Sequence, residues 1–264
     1  MAFRDVGWVW EGLAFDPGVQ PTIYGLGEGM TYFGVERAHF MFHPNNEITL
    51  AKLSHAREIV CDITKMKWAE MRDAETGRFG FRHWGDHGIE TQIEEAEKLS
   101  RLSLQFPNVT AGYIDDPDRM VNYQSEHPTY YADISAALRS ANPALQWWAL
   151  VFSHQLGEDH WQPFLPYMDV ANLWVWEWEN IPHLEEYVEL CHKTLPGKAI
   201  VVGSFIRDYD KRAPVPLEMM QMQYETMFEL WEEERIAGYS ILGAALIDQH
   251  PQQAEFIRSF IGGH

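Results

Sequence analysis

Short apolar runs alternate with longer amphipathic ones along almost the whole chain. Gly7–Phe15 (GWVWEGLAF), His39–His43 (HFMFH), Glu58–Thr64 (EIVCDIT) and Asn108–Pro117 (NVTAGYIDDP) are rich in β-branched and aromatic residues and show no helical period. Gln146–His154, Met168–Trp178, Ala199–Tyr209 and Gly238–Asp248 read the same way. These eight segments are predicted strands. Between them, Ile93, Ala96, Leu99, Leu102 and Phe106 recur at helical spacing, so Glu90–Phe106 is a predicted helix. Ser125–Ala141, Leu184–Leu195, Leu217–Glu234 and Gln252–Phe260 follow suit, with Pro196-Gly197 as a stop signal. Asn45 or Asn46 is placed to cap a further helix that carries Glu47 in its first turn.

Eight alternations of strand and helix predict an α/β protein of the (β/α)8 TIM-barrel type, one domain over residues 1–264. Strands that are apolar on both faces fit a parallel barrel covered by helices. The segment Lys65–Ile89 has tryptophan, glycine, histidine and charge but no clear period, and is expected to be a long insertion on the barrel's C-terminal rim. A Rossmann-type sheet is the structural alternative. It requires a glycine-rich phosphate turn directly after the first strand, and Gly25-x-Gly27-x-Gly29 has neither the spacing nor the position.

Composition narrows the partners. The formal net charge is −19 and no Lys/Arg run offsets it, so a nucleic-acid or anionic-membrane surface is not expected. No apolar run is long enough to span a membrane. Met1–Asp5 lacks a signal-peptide pattern, which leaves either a cytoplasmic protein or an exported one whose signal lies outside this sequence. Cys61 sits in a strand and Cys191 in a helix. They read as two buried thiols, with a disulfide as the alternative, and neither has metal-site spacing.

The predicted strand ends carry the candidate chemistry: Glu11, His43, Asp62, Asp115, Asp116, His154, Glu177, Glu179, Arg207, Asp208, Asp248 and His250. In a (β/α)8 barrel the C-terminal strand ends form the active site. Tryptophan accompanies these groups: Trp10 beside Glu11, Trp68 and Trp84 in the insertion, and Trp174, Trp176 and Trp178 around Glu177. Eleven tryptophans suit either core filling or stacking on the C–H faces of sugar rings, with carboxylates and amides for the hydroxyls. Cleaving a glycoside needs two carboxyl groups across the bond, one to protonate the leaving oxygen and one to attack the anomeric carbon or activate water. Asp115 or Asp116 on the fourth strand and Glu177 on the sixth could face each other, because alternate strands fill one layer.

At Tyr113-Ile114-Asp115-Asp116 and Trp176-Glu177 the chain resembles (β/α)8-barrel glycoside hydrolases, and it is similar as well to uncharacterised bacterial barrel proteins. The resemblance implies an acid on strand four as nucleophile or its assistant, and one on strand six as proton donor. The chain departs from the pattern with Glu on strands four and seven, offering Asp on strand four and Arg207-Asp208 on strand seven, and it lacks the spaced acidic run of the chitinase-like families. The expected site is therefore Glu177 as proton donor with Asp115 or Asp116 as nucleophile or base. Trp10, Glu11, His43, Asn45, Asp62, His154, Trp176, Trp178, Arg207 and Asp248 are expected to bind a saccharide. No cofactor and no tightly bound transition metal are expected. Two other readings stay open: a metal-dependent sugar isomerase, epimerase or lyase, and a sugar-binding barrel without turnover.

Overall fold

In the computed structural model, eight parallel strands close into one barrel. In chain order they are β1 (Gly7–Trp10), β2 (Arg37–Phe40), β3 (Glu58–Asp62), β4 (Val109–Ile114), β5 (Gln146–Phe152), β6 (Val170–Trp174), β7 (Ala199–Phe205) and β8 (Gly238–Leu242). Each pairs with its sequence neighbours, and β8 closes on β1 through Gly7↔Tyr239 to Trp10↔Leu242. The structure describes residues 1–12, 19–72, 79–86, 88–115, 129–157 and 161–264, and for residues 65–86 the backbone alone. Seven helices are described: α1 (Leu26–Phe33), α2 (Glu47–Lys52), α3 (Ile89–Leu102), α4 (Tyr130–Leu138), α5 (Leu184–Thr194), α6 (Leu217–Glu232) and α7 (Pro251–Gly263). The TIM-barrel fold expected from the alternation is the one observed.

The strands are shorter than the apolar runs that announce them. Phe42, just past β2, has φ 63°, and Gly243, just past β8, has φ 137°; both values lie outside strand geometry and end the ladder. After Gly243 the chain makes a 3-10 turn over Ala244–Leu246, so Asp248 lies one turn beyond the strand that was read as reaching it. Lys65–Ile89 is not aperiodic: Lys65–Arg72 pairs antiparallel with Phe79–Asp86, from Lys65↔Asp86 to Arg72↔Phe79. Its alternation (KMKW, FGFR) is broken by Ala69 and Gly80, which hides the period. The hairpin leaves the barrel after β3, and Trp68 and Trp84 lie on it. Helix α2 is capped as expected, with the Asn46 side chain accepting the Thr49 amide at 3.0 Å.

The barrel interior is packed with aromatic rings. Trp10 meets Tyr113 edge-on at 5.2 Å and Trp174 at 5.3 Å, and Trp8 meets Trp148 at 5.0 Å. Gly203 on β7 is dictated by this packing, because a Cβ there would lie 2.2 Å from the Trp174 ring. Among the rings sits one amide. Asn172 on β6 accepts from Tyr113 Oη (3.0 Å) and Trp174 Nε1 (2.9 Å), and its Nδ2 donates to the Val201 carbonyl (2.9 Å) and Ser240 Oγ (3.1 Å). A fully partnered buried amide of this kind specifies one arrangement of its four neighbours. Among the described residues the interior is thus filled by side chains, and the C-terminal strand ends lie above them.

Candidate active site

One side of the mouth is organised by Asp62, the last residue of β3. It is fully buried, and its two carboxylate oxygens accept backbone amides, Thr64 N at 2.6 Å and Phe42 N at 3.2 Å. The Asp62 carbonyl accepts Asn45 Nδ2 at 2.9 Å, and Asn45, also fully buried, reaches Glu95 on α3 at 3.5 Å. Asp62 and Asn45, both expected to bind a saccharide, are buried in these bonds and act as scaffold. The left-handed turn at Phe42, clamped by Asp62, delivers His43 to the rim. There His43 Nε2 lies 2.7 Å from Glu11 Oε2, with the ring stacked on Phe40. On the other side of Asp62, Thr64 Oγ1 accepts the amide of Asp115 at 3.3 Å. The Asp62 carboxylate thus holds the turn before His43 and the Thr64 segment that meets Asp115, while Glu11 joins through His43; His43, Glu11 and Asp115 all retain solvent access.

The opposite side, from β5 to β7, is an aromatic wall. Trp176 lies nearly parallel to Tyr209 (5.9 Å, 10°) and packs on Phe205 and Phe152, and Phe152 stacks in turn on the exposed His154 (5.4 Å, 11°). The Tyr209 hydroxyl reaches across to β1, 3.5 Å from where a Cβ on Gly12 would stand. Beside the wall, the Lys211 ammonium sits 4.6 Å from the Trp178 ring and bonds Glu179 (2.6 Å) and Asp208 (3.1 Å). The Lys211 hydrogen bond holds the Glu179 carboxyl below its ordinary range, and Glu179 in turn raises Lys211. Asp208 thus pairs with Lys211 and leaves its chain neighbour Arg207 to a different partner. Arg207 Nη1 is 3.3 Å from His250 Nε2, and Asp248 accepts the Thr22 hydroxyl at 2.9 Å.

Glu177 takes another position than its tryptophan neighbours suggest. Trp174 packs on Trp10 and Trp176 on Phe205. The strand has ended by then, and Glu177 precedes a 3-10 turn (Trp178–His183). It is exposed, with Asn180 Nδ2 at 3.5 Å from its carboxylate. Asp116 lies outside the described residues. Trp10 is buried in the barrel stack, below the mouth. Phe152, Tyr209, Lys211 and Thr64 belong to the site and were not singled out from the sequence. Tyr209 had a signal, an aromatic residue at the polar end of an apolar run. Among the described residues, no group of three or more His, Cys, Asp or Glu is arranged to hold a metal ion, and no helix is long and apolar enough to cross a membrane.

No protein-family model matches the sequence, and neither does any curated protein sequence. The fold is similar to solved structures of glycoside hydrolases. Over 99% of this chain and 99% of the other, it aligns with the PgaB (BpsB) glycoside hydrolase domain from Bordetella bronchiseptica (TM-score 0.55, 12% identity). It aligns with the catalytic domain of a family GH18 chitinase from the fern Peteris ryukyuensis (TM-score 0.53, 11% identity; 96% of this chain and 99% of that one). A GH2 beta-galacturonidase from Eisenbergiella tayi matches over 100% of this chain at TM-score 0.58 and 9% identity, and there the chain spans about half of the longer protein (51%). At these identities the likeness is one of fold.

Proposed function

We propose that the chain is a carbohydrate-active enzyme, a glycoside hydrolase working at the C-terminal mouth of its barrel. The observation that carries this reading is the placement of Glu11 and Asp115. Both residues keep solvent access at the rim, Glu11 against His43 and Asp115 with its amide on Thr64, and Trp176 stacks with Tyr209 on the far strands. An aromatic face receives the C–H face of a sugar ring, and two carboxyl groups supply the acid and the nucleophile or base. In this reading Glu11, held by His43, protonates the glycosidic oxygen. Asp115 attacks the anomeric carbon or takes the proton from the attacking water. The fold shared with glycoside hydrolases supports the class, and the exposed position of Glu177 favours Glu11 as the donor.

The test is a screen of 4-nitrophenyl glycosides and oligosaccharides with the wild type, Glu11→Gln and Asp115→Asn. The expected result is a loss of about 10²-fold or more in kcat/KM for Asp115→Asn on both kinds of substrate and for Glu11→Gln on the oligosaccharides, with unchanged circular dichroism. Hydrolysis that survives both substitutions would remove the proposed pair, and a wild type that binds saccharides without cleaving any would favour the sugar-binding reading.

A further inference from the structure

Arg207 is a buried charge without a carboxylate partner among the described residues. It is 5% exposed, and a guanidinium that deep is ordinarily paired with a carboxylate. The candidates nearby in sequence are engaged elsewhere. Asp208 accepts the Lys211 amide at 2.8 Å and the Lys211 ammonium at 3.1 Å. Asp248 accepts from Thr22 and is exposed. The polar partner Arg207 does have is His250 Nε2, and its Nε has no hydrogen-bond partner among the described residues. A guanidinium only donates, so His250 Nε2 is the acceptor in that contact and the imidazole is neutral there. Burial, and then the Arg207 charge, push the His250 pKa down, in agreement with that state.

Arg207 and His250 line an open cavity of about 390 Å³ together with Gln20, Pro21, Asp248 and Gln249. The cavity lies at the corner formed by the segments after β7 and β8, beside the start of α7, a 13-residue helix. In (β/α)8 barrels this corner often receives phosphate, because the chain there can present an Arg and free helix amides together. The volume is within the range of small-ligand sites. The remaining wall is not cationic. Asp248 accepts hydroxyls, and Gln249, whose Nε2 donates to the Gln20 carbonyl at 3.0 Å, adds an amide oxygen. A bare dianion would meet Asp248 as a repulsive neighbour, whereas a hydroxylated anion can turn its charge to Arg207 and its hydroxyls to Asp248.

We propose that this cavity binds the anionic group of an acidic saccharide, a carboxylate or a phosphate ester, with Arg207 engaging the oxyanion and Asp248 the ring hydroxyls. A guanidinium presents its N–H donors in a planar fork that matches a carboxylate or phosphate. The identity of the hydroxylated part rests on the carbohydrate reading above; the anion site itself rests on Arg207 and its cavity.

Binding is read directly, without turnover, by isothermal titration of glucuronate, glucose 6-phosphate, inorganic phosphate and glucose into the intact chain at low ionic strength. The expected result is that glucuronate or glucose 6-phosphate binds at least tenfold tighter than glucose and tighter than inorganic phosphate. Which of the two binds identifies the anion. Arg207→Gln should erase the preference over glucose while circular dichroism is unchanged. Should Arg207→Gln fold poorly, Arg207→Lys keeps a charge but loses the planar fork, and a tenfold loss of acidic-sugar affinity is expected. Equal affinity for glucose and the acidic sugars in the wild type, no binding of either acidic sugar, or unchanged affinity in either Arg207 variant would overturn the proposal. Because no cleavage is involved, the site can stand if the hydrolase reading falls, and the hydrolase reading can stand if this site does not.

Discussion

The imidazole of His39 lies against the indole of Trp10, with ring centroids 4.9 Å apart and planes 25° from parallel. His39 is fully buried inside the barrel, also meets Tyr113 and Trp148, and neither ring nitrogen has a hydrogen-bond partner among the described residues. Burial pushes its pKa well below the ordinary histidine value, so the ring stays neutral in the folded protein. The sign of the resulting pH dependence is fixed. Above about pH 6.5 the ring is neutral in both folded and unfolded chains. As pH falls below that value the unfolded chain takes up a proton that the folded one refuses, and stability drops by about 1.4 kcal/mol per pH unit for this one group until the folded-state pKa is reached. His39→Phe keeps an aromatic ring in the stack and cannot titrate. Urea unfolding at pH 7.5, 6.5 and 5.5 is expected to show the variant gaining on the wild type as pH falls. Parallel stability curves would mean that His39 is hydrated or partnered.

Asn172 supports a second expectation. Replacing it with leucine, close in size, strips partners from the Tyr113 hydroxyl, the Trp174 indole, the Ser240 hydroxyl and the Val201 carbonyl at once. Losing a buried hydrogen-bond partner costs about 1–3 kcal/mol, so the loss of these four bonds should lower stability by at least about 3 kcal/mol in denaturant unfolding. A loss below about 1 kcal/mol would show that water reaches the barrel centre and replaces the amide.

Both cysteines are buried thiols, and burial pushes the Cys191 thiol up to about 12. The thiolate is the reactive form, so at pH 8 Cys191 has almost none of it. Ellman's reagent is expected to find no rapidly reacting thiol in the native protein and two after unfolding in guanidinium. A fast native thiol would point to Cys61 and to local opening of β3.

The barrel was legible because its signal is a repeated one: every strand announces itself by a run of apolar residues that both faces bury. Where each strand stops was not legible. The turn at Phe42 and the break at Gly243 are set by local backbone geometry, and apolar residues continue past both, as Ala244–Ile247 does after β8. Candidate residues were gathered at the C-terminal strand ends, but their partners depend on contacts between distant segments. Asp62 reads in sequence as one more acid at a strand end, and only the fold shows both its oxygens occupied by amides. Asn172 looked like an ordinary strand residue for the same reason. Asp208 stands beside Arg207 in the chain yet pairs with Lys211, because adjacent residues on an extended segment face opposite ways.

The choice of proton donor can be settled by comparing Glu11 with Glu177. Tryptophans on both sides of Glu177 suggested a dry carboxyl group, but Glu177 is exposed, with a long contact to Asn180 3.5 Å away. Glu11 is less open. Its side chain retains 27% of its accessibility, its carbonyl accepts the Ala245 amide at 2.7 Å, and its carboxylate is fixed by His43 at 2.7 Å. A proton donor must be held at one place and delivered to one oxygen, and Glu11 meets that demand better. On a glycoside with a poor leaving group, Glu11→Gln is expected to lower kcat/KM by about 10²-fold or more. On an aryl glycoside with an acidic leaving group the loss should be much smaller, because that group departs with little protonation. Glu177→Gln should change either substrate less than threefold. His43→Gln removes the imidazole but can keep a hydrogen bond to Glu11, and it should shift the pH profile of kcat/KM more than it lowers the maximum. If Glu177→Gln instead shows the leaving-group dependence and Glu11→Gln does not, the donor is Glu177, and the turn at Trp178–His183 must bring it over the mouth when substrate is bound.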